Sequence, residues 1–176
     1  QYGYRARRGS RDAGISLYAI GADYLEIDAG DVVEGRNFTE SEDRRARPVA
    51  VVDSAVVSDL FEKPDVLGER LQIGLPGRGL FGGGPYPFTP FRVVGVYDPP
   101  ENLFAGLASH YVWVPFFAAL KYVGFNERFV GLVVRPEEGV SLPEAMDAVR
   151  GRMRQLRGLE PGEEDDFALI TQDEIL

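Results

Sequence analysis

The sequence predicts an α+β fold, a split βαβ (ferredoxin-like) layer combined with a β-rich unit, and two observations predict it. Between Pro48 and Val96 short β-branched runs, Val49-Ala50-Val51-Val52 and Val93-Val94-Gly95-Val96, surround one small amphipathic segment. Nearer the C-terminus a single well-marked helix, Leu142 to Arg157, stands between two extended segments, Phe129 to Val134 and Asp166 to Thr171. Strand, helix, strand in that order is half of a ferredoxin-like layer.

Residues 1–12 read as a frayed arm. Ile15 to Ile20 alternates as a strand does and stops at Gly21; Ala22 to Ile27 forms a short helical turn. Gly35-Arg36-Asn37-Phe38 is a tight turn with an aromatic anchor, followed by a charged loop from Thr39 to Arg47. In the central stretch Pro48 to Val52 is a strand, Asp53 to Glu62 a helix closed by Lys63-Pro64, and Leu67 to Ile73 a second strand. The glycine-proline loop Gly74 to Pro90 then leads to the strand Phe91 to Tyr97, which Pro99 and Pro100 end because neither can donate to a ladder. His110 to Pro115 is a further strand and Phe116 to Tyr122 a brief helix.

The helix 142–157 carries its own boundary signals. Ser141 and Glu144 have capping-box spacing, Pro143 lies in the first turn, and Gly158 stops the helix. Met146, Val149, Met153 and Leu156 recur at 3, 4, 3 spacing, which predicts one buried stripe. Arg150, Arg152, Arg154 and Arg157 gather at the negative end of the helix dipole.

Composition narrows the function. A chain of 176 residues, 44% hydrophobic and 27% charged, has the profile of a globular protein with a real core. Net charge is −9, from 19 basic and 28 acidic side chains, which disfavours nucleic acid as a partner. The basic arm Arg5, Arg7, Arg8, Arg11 and the acidic run Glu160 to Asp166 both read as solvated surface. The absence of cysteine removes disulfides, thiolate metal sites and cysteine nucleophiles. The longest nearly uncharged run, Gly106 to Leu120, is too short to span a bilayer. Gln1 is no initiator methionine and no signal segment follows it, so the expectation is a piece of a longer protein.

No set of residues has the layout of a catalytic centre. Gly77-Arg78-Gly79-Leu80-Phe81-Gly82 matches G-x-G-x-x-G in letters, but a dinucleotide fingerprint must open a helix. Gly83-Gly84-Pro85-Tyr86-Pro87 cannot be one. His110 is the single histidine, so a triad or a histidine metal site has one member at most, and it reads as a packing residue at a strand end. Asp23, Glu26 and Asp28, and likewise Glu40, Glu42 and Asp43, lie near one another without the spacing of a calcium loop. A carboxylate-based hydrolase stays open as an alternative, as does a stand-alone extracytoplasmic ligand-binding module. Trp113 reads as core. The loop 74–90 is either a hairpin tip or a partner-contacting tip, because Leu75, Leu80, Phe81, Tyr86 and Phe88 put apolar groups on it. Catalytic, metal and cofactor-binding residues are expected to be none; those five are the candidate partner-binding residues.

In order and spacing, these motifs resemble the MacB-like periplasmic core domain of ABC transporter permeases of the MacB, LolC/E and FtsX group. The carriers are Tyr24-Leu25, Gly35-Arg36-Asn37-Phe38 with Asp43, Pro48 to Val52, Leu60-Phe61, Leu67-Gly68 with Ile73, and Phe91 to Val96. Val112 to Pro115, Val133, the helix from Ala145 to Leu156 and Asp166-Phe167 complete the series over about residues 15–171. The loop 74–90 departs from the pattern in being longer and richer in glycine. The resemblance implies a porter-like α/β layer from 1–47 and 124–176 with an inserted β-rich, Sabre-like subdomain at 48–123. It further implies a non-catalytic, extracytoplasmic and membrane-tethered domain without cofactor. Such a domain relays cytoplasmic ATP hydrolysis, by an ATP-binding subunit or domain, to movement outside the membrane. The implied partners are a second permease copy, paired through membrane helices, and an adaptor, a lipoprotein carrier or a cell-wall hydrolase. Cut from its membrane helices, the domain is expected to be a monomer.

Overall fold

The protein is described by a computed structural model, which covers residues 3–28, 30–75, 88–100, 110–124 and 130–171. It divides into two compact units, Gln1–Val133 and Val134–Leu176. The class is α+β, as expected.

The first unit is built on a mixed sheet of eight strands: β1 (Arg5–Arg8), β2 (Arg11–Gly14), β3 (Ser16–Ile20), β4 (Asp31–Gly35), β5 (Val49–Val52), β6 (Arg70–Gly74), β7 (Thr89–Asp98) and β8 (Tyr111–Pro115). Their order is β2-β1-β6-β7-β5-β8-β3, with β4 also on β7. The spine is β7, ten residues long. On one edge its first half pairs antiparallel with β6, from Arg70 opposite Arg92 to Ile73 opposite Thr89. Its second half pairs antiparallel with β4, from Asp31 opposite Asp98 to Gly35 opposite Gly95. The other edge carries β5 in parallel. This explains why β5 is apolar at every position: a strand flanked on both edges and covered on both faces has no solvent side.

Alternation sorts the side chains of β8, Val112 and Val114 to one face and Trp113 to the other. On the first face lie α3 (Ser54–Leu60), through Val56 and Leu60, and α4 (Phe116–Tyr122), through Ala118 and Ala119. On the second, α1 (Tyr24–Asp28) and the turn after β4 add Leu25 and Phe38 to Val49, Val51, Tyr97 and Trp113.

Two segments read as surface loops are ordered structure. The N-terminal arm is not frayed. Residues 5–14 form a hairpin whose turn contains Gly9 at φ 58, with Ala6 fully buried and opposite Ile73 of β6. Its arginines are engaged, Arg5 and Arg7 with Asp12, and Arg8 with Glu69 at 2.8 Å. The charged loop 39–47 contains α2 (Glu40–Arg44), which a full capping box between Thr39 and Glu42 opens.

In the second unit α5 (Leu142–Arg157) has the expected bounds, and Gly158 ends it at φ 70 with its N–H on the Gln155 carbonyl. Three expectations are corrected there and in the segment before it. Residues 130–134 and 166–171 carry no strand; an extended segment becomes one only where a neighbour pairs its backbone groups, and among the described residues no strand pairs with either segment. The α5 stripe is not buried: Met146, Val149 and Met153 are half-buried and Leu156 is 66% exposed. Ser141 does not cap the backbone; its hydroxyl donates instead to the Glu144 carboxylate at 3.2 Å. The acidic run is exposed, as expected, and within it Asp165 and Asp166 pair with Arg150, Arg154 and Arg157.

Candidate functional site

Two of the five loop residues expected to meet a partner lie within the described structure. Leu75 is half-buried against the first-face core. Phe88 is half-buried beneath the Arg7 guanidinium, 3.9 Å from the ring centre, and so close to Gly74 that a Cβ there would meet its ring at 3.1 Å. The two ends of the loop are thus anchored on β6 and β1. Leu80, Phe81 and Tyr86 lie outside the described residues.

The polar residues singled out in the sequence have structural partners. His110 does more than pack. Its Nε2 meets the Asp59 carboxylate at 2.7 Å, while its carbonyl accepts the Ser16 N–H at 3.0 Å. It thereby joins the start of β8 both to α3 and to β3. Arg11 supports the same corner by donating to the Phe61 carbonyl at the α3 C-terminus, at 2.9 Å. In the Glu40, Glu42, Asp43 group each carboxylate does a different thing. Glu40 pairs with Arg44 one helical turn on. Glu42 accepts both Arg36 amino groups at 2.8 and 2.9 Å, and these bonds hold its carboxyl at about 2, against burial and with the help of Thr39. Asp43 is buried and accepts the Phe117 N–H at 3.2 Å, so it ties α2 to α4; burial pushes its carboxyl up, and the N–H groups of Phe117 and Phe116 pull the other way.

Asp53 was read only as the head of a helix, and it is the more connected group. It is 6% exposed. One oxygen accepts the Val56 N–H at 2.7 Å as the cap of α3; the other accepts the Tyr111 N–H at 2.9 Å on β8. Burial raises its carboxyl, and those two N–H groups partly oppose it. Asp28 accepts the Tyr97 hydroxyl at 2.9 Å, and that hydroxyl accepts the Gly30 N–H at 2.8 Å. Trp113 is core, 3% exposed. Among the described residues no three histidine or acidic side chains come together as metal ligands.

Beside α3 an open groove of about 450 Å³ runs along β4, lined by Val33, Val57, Phe61, Lys63 and Val96. Glu34 and Glu62 also line it. Among the described residues no helix is long and apolar enough to cross a membrane.

The loop ends are anchored on the sheet, the groove beside α3 is open, and Asp28, Glu42, Asp43 and Asp53 each accept hydrogen bonds within the fold. Comparison with known proteins gives the family. The MacB-like periplasmic core domain matches residues 1–152, and the chain belongs to that family. It is 24% identical over 161 residues to the macrolide export ATP-binding/permease protein MacB 2 of Aeromonas hydrophila, covering 92% of this chain and 22% of that relative. The counterpart in Escherichia coli K12 is 26% identical over 164 residues, with 93% and 23% covered. The chain therefore spans less than a quarter of these relatives. In fold it is similar to the periplasmic region of MacB from Actinobacillus actinomycetemcomitans, with a TM-score of 0.63 at 20% identity over 88% of this chain and 63% of that one. The extracellular domain of the noncanonic ABC-type transporter YknZ from Gram-positive bacteria has a TM-score of 0.52 at 24% identity, over 70% and 55%. The chain is thus a periplasmic core domain of a MacB/FtsX-like ABC transporter permease, an extracytoplasmic portion of a membrane protein.

Proposed function

We propose that the domain is non-catalytic and relays ATP hydrolysis on the cytoplasmic side to movement outside the membrane, by binding a partner protein or an exported substrate there. The observation that carries this reading is the family match over residues 1–152. A second permease copy, and an adaptor, lipoprotein carrier or cell-wall hydrolase, are the partners it implies. The loop residues Leu75, Leu80, Phe81, Tyr86 and Phe88 are the contact we assign. In support, Leu75 and Phe88 hold the loop ends against rigid strands, which lowers the ordering cost of docking its tip. The test is removal of residues 80–86 from the full-length permease. Partner binding and partner-stimulated ATPase should both fall, with basal ATPase kept. Binding unchanged by the deletion refutes the contact.

The division into a layer from 1–47 and 124–176 around an insert at 48–123 belongs to the same proposal. Limited proteolysis tests it: nicks near residues 47 and 124 should together release a resistant 48–123 core. The isolated domain should sediment as a monomer, and a concentration-independent dimer would contradict this.

A further inference from the structure

At the open end of the sheet β3 and β8 set aromatic rings side by side. Among the described residues no strand lies beyond β3. The register puts Tyr18 opposite Trp113 and Ser16 opposite Tyr111, so these side chains share one face. Tyr18 and Tyr111 each stack on Trp113 and are tilted to one another. Tyr18 and Trp113 are 6.4 Å apart at 25°, Tyr111 and Trp113 are 5.9 Å apart at 24°, and Tyr18 and Tyr111 are 5.9 Å apart at 41°. Tyr97 supports Trp113 from below, edge-on at 5.0 Å. Trp113 is covered, whereas Tyr18 is 42% exposed. An exposed ring already held by two neighbours has little freedom left to lose on binding.

The surroundings select the occupant. Segment 12–35, which supplies Tyr18, contains neither lysine nor arginine, and of its six carboxylates Asp12 is paired with Arg5 and Arg7. Segment 93–120, which supplies Tyr111 and Trp113, contains neither as well. Asp23, Glu26 and Asp28 follow β3 directly. The protein's own cations are placed elsewhere: Arg7 over Phe88, Arg8 over Phe61 and Lys121 over Tyr122, with none over Tyr18 among the described residues. An electron-rich ring on a strand that leads directly into three carboxylates matches a cation, and a planar guanidinium best of all.

We infer that the face formed by Tyr18, Tyr111 and Trp113 docks a basic segment of a partner protein, an arginine of that segment stacking on the Tyr18 ring. The inference deepens the partner-binding reading above and rests on it. The deletion of 80–86 alters a different surface, so the two can fail separately.

Trp113 is the only tryptophan, so its fluorescence reports on this face directly. The 176-residue chain is titrated with a blocked hexapeptide of alternating arginine and glycine, with a glutamine-glycine peptide as control. A saturable change with the arginine peptide alone is expected. Y18S should weaken it at least tenfold, Y18F should keep it within twofold because the ring remains, and D23N should weaken it and flatten its salt dependence. Equal binding by Y18S and the unaltered chain, equal binding of the glutamine peptide, or no saturable change each overturns the inference. So does equal affinity for arginine amide, which would make the site one for a small cation. A dimer that Y18S dissociates would make the occupant a second copy and overturn it too. Y18F, with the same backbone and ring, separates loss of the contact from loss of the fold.

Discussion

Gly35 and Gly95 face each other across β4 and β7, and the chains approach so closely that neither position has room for a side chain. A Cβ on Gly95 would lie 2.2 Å from the Arg36 carbonyl oxygen, and one on Gly35, at φ 72, would lie 2.5 Å from the Val94 carbonyl oxygen. The obstacle is backbone in both cases, so no rotamer change relieves it. Gly68 also has a positive φ, 83, yet nothing stands within 4 Å of its Cβ position. Gly95→Ala should therefore cost more than about 2 kcal/mol, from forced separation of β4 and β7. Gly68→Ala should cost about 1 kcal/mol, from dihedral strain alone. Urea unfolding of the two variants compares them, and equal costs would mean that the β4–β7 contact gives way easily.

Asp53 links two elements that the chain separates by more than fifty residues, and it does so with one oxygen to each. Asp53→Ala removes both acceptors from buried N–H groups and should cost about 2–3 kcal/mol. Asp53→Asn keeps one acceptor and turns an amide N–H toward the other donor, so it should cost roughly half as much. Thermal melts decide the order. If Asn is as damaging as Ala, the charge matters here and not the hydrogen-bond count.

Glu42 sets the sign of an acid-side stability change. Its folded pKa is about 2, below the ordinary glutamate value of 4.5, so its contribution is fully present above about pH 4.5 and is lost as pH falls toward 2. Arg36 is half exposed, so solvent screening reduces the effect to about 1–2 kcal/mol. Asp43 and Asp53 act in the opposite sense, because raised carboxyls favour the folded state as they protonate. Glu42→Gln should lower stability at pH 7 and make the curve between pH 5 and 2 shallower than that of the unaltered chain. A parallel curve would show that the Arg36–Glu42 pair contributes nothing.

Much of this was legible in the sequence wherever local pattern and tertiary demand agree. The runs 49–52, 91–96 and 111–115 are rich in β-branched and aromatic residues and form largely buried strands, while Pro143 and Gly158 mark the ends of α5. The N-terminal hairpin is hidden in the sequence because its four arginines mask its turn chemistry. Gly9-Ser10 between two four-residue runs is a two-residue hairpin signal, and Ala6 is the buried alternate. Thr39 and Glu42 had the same capping-box spacing that was noticed at Ser141 and Glu144, and they form the box that the latter pair does not. The tyrosine face was not legible at all. Tyr18 and Trp113 are 95 positions apart, and only the parallel β3–β8 register brings them together.

Arg154 organises the second unit, and its neighbour Arg152 supplies the control. The Arg154 guanidinium donates to the Glu160 carbonyl at 2.7 Å, the Glu163 carbonyl at 2.8 Å and the Asp165 carboxylate, so one side chain pins the turn after α5 at three points. Among the described residues Arg152 reaches only Gln155. Arg154→Ala should therefore cost the unit about 1–2 kcal/mol and raise amide exchange across 159–166 roughly tenfold, whereas Arg152→Ala should change neither beyond a few tenths of a kcal/mol. Arg154→Lys should fall between them, because an ammonium has no planar fork to serve three acceptors at once. High salt should weaken the bond to Asp165 and leave most of the protection, since two of the three acceptors are uncharged carbonyls. Equal exchange in the Arg152 and Arg154 variants would reduce the cluster to surface charge, the role its composition alone suggests.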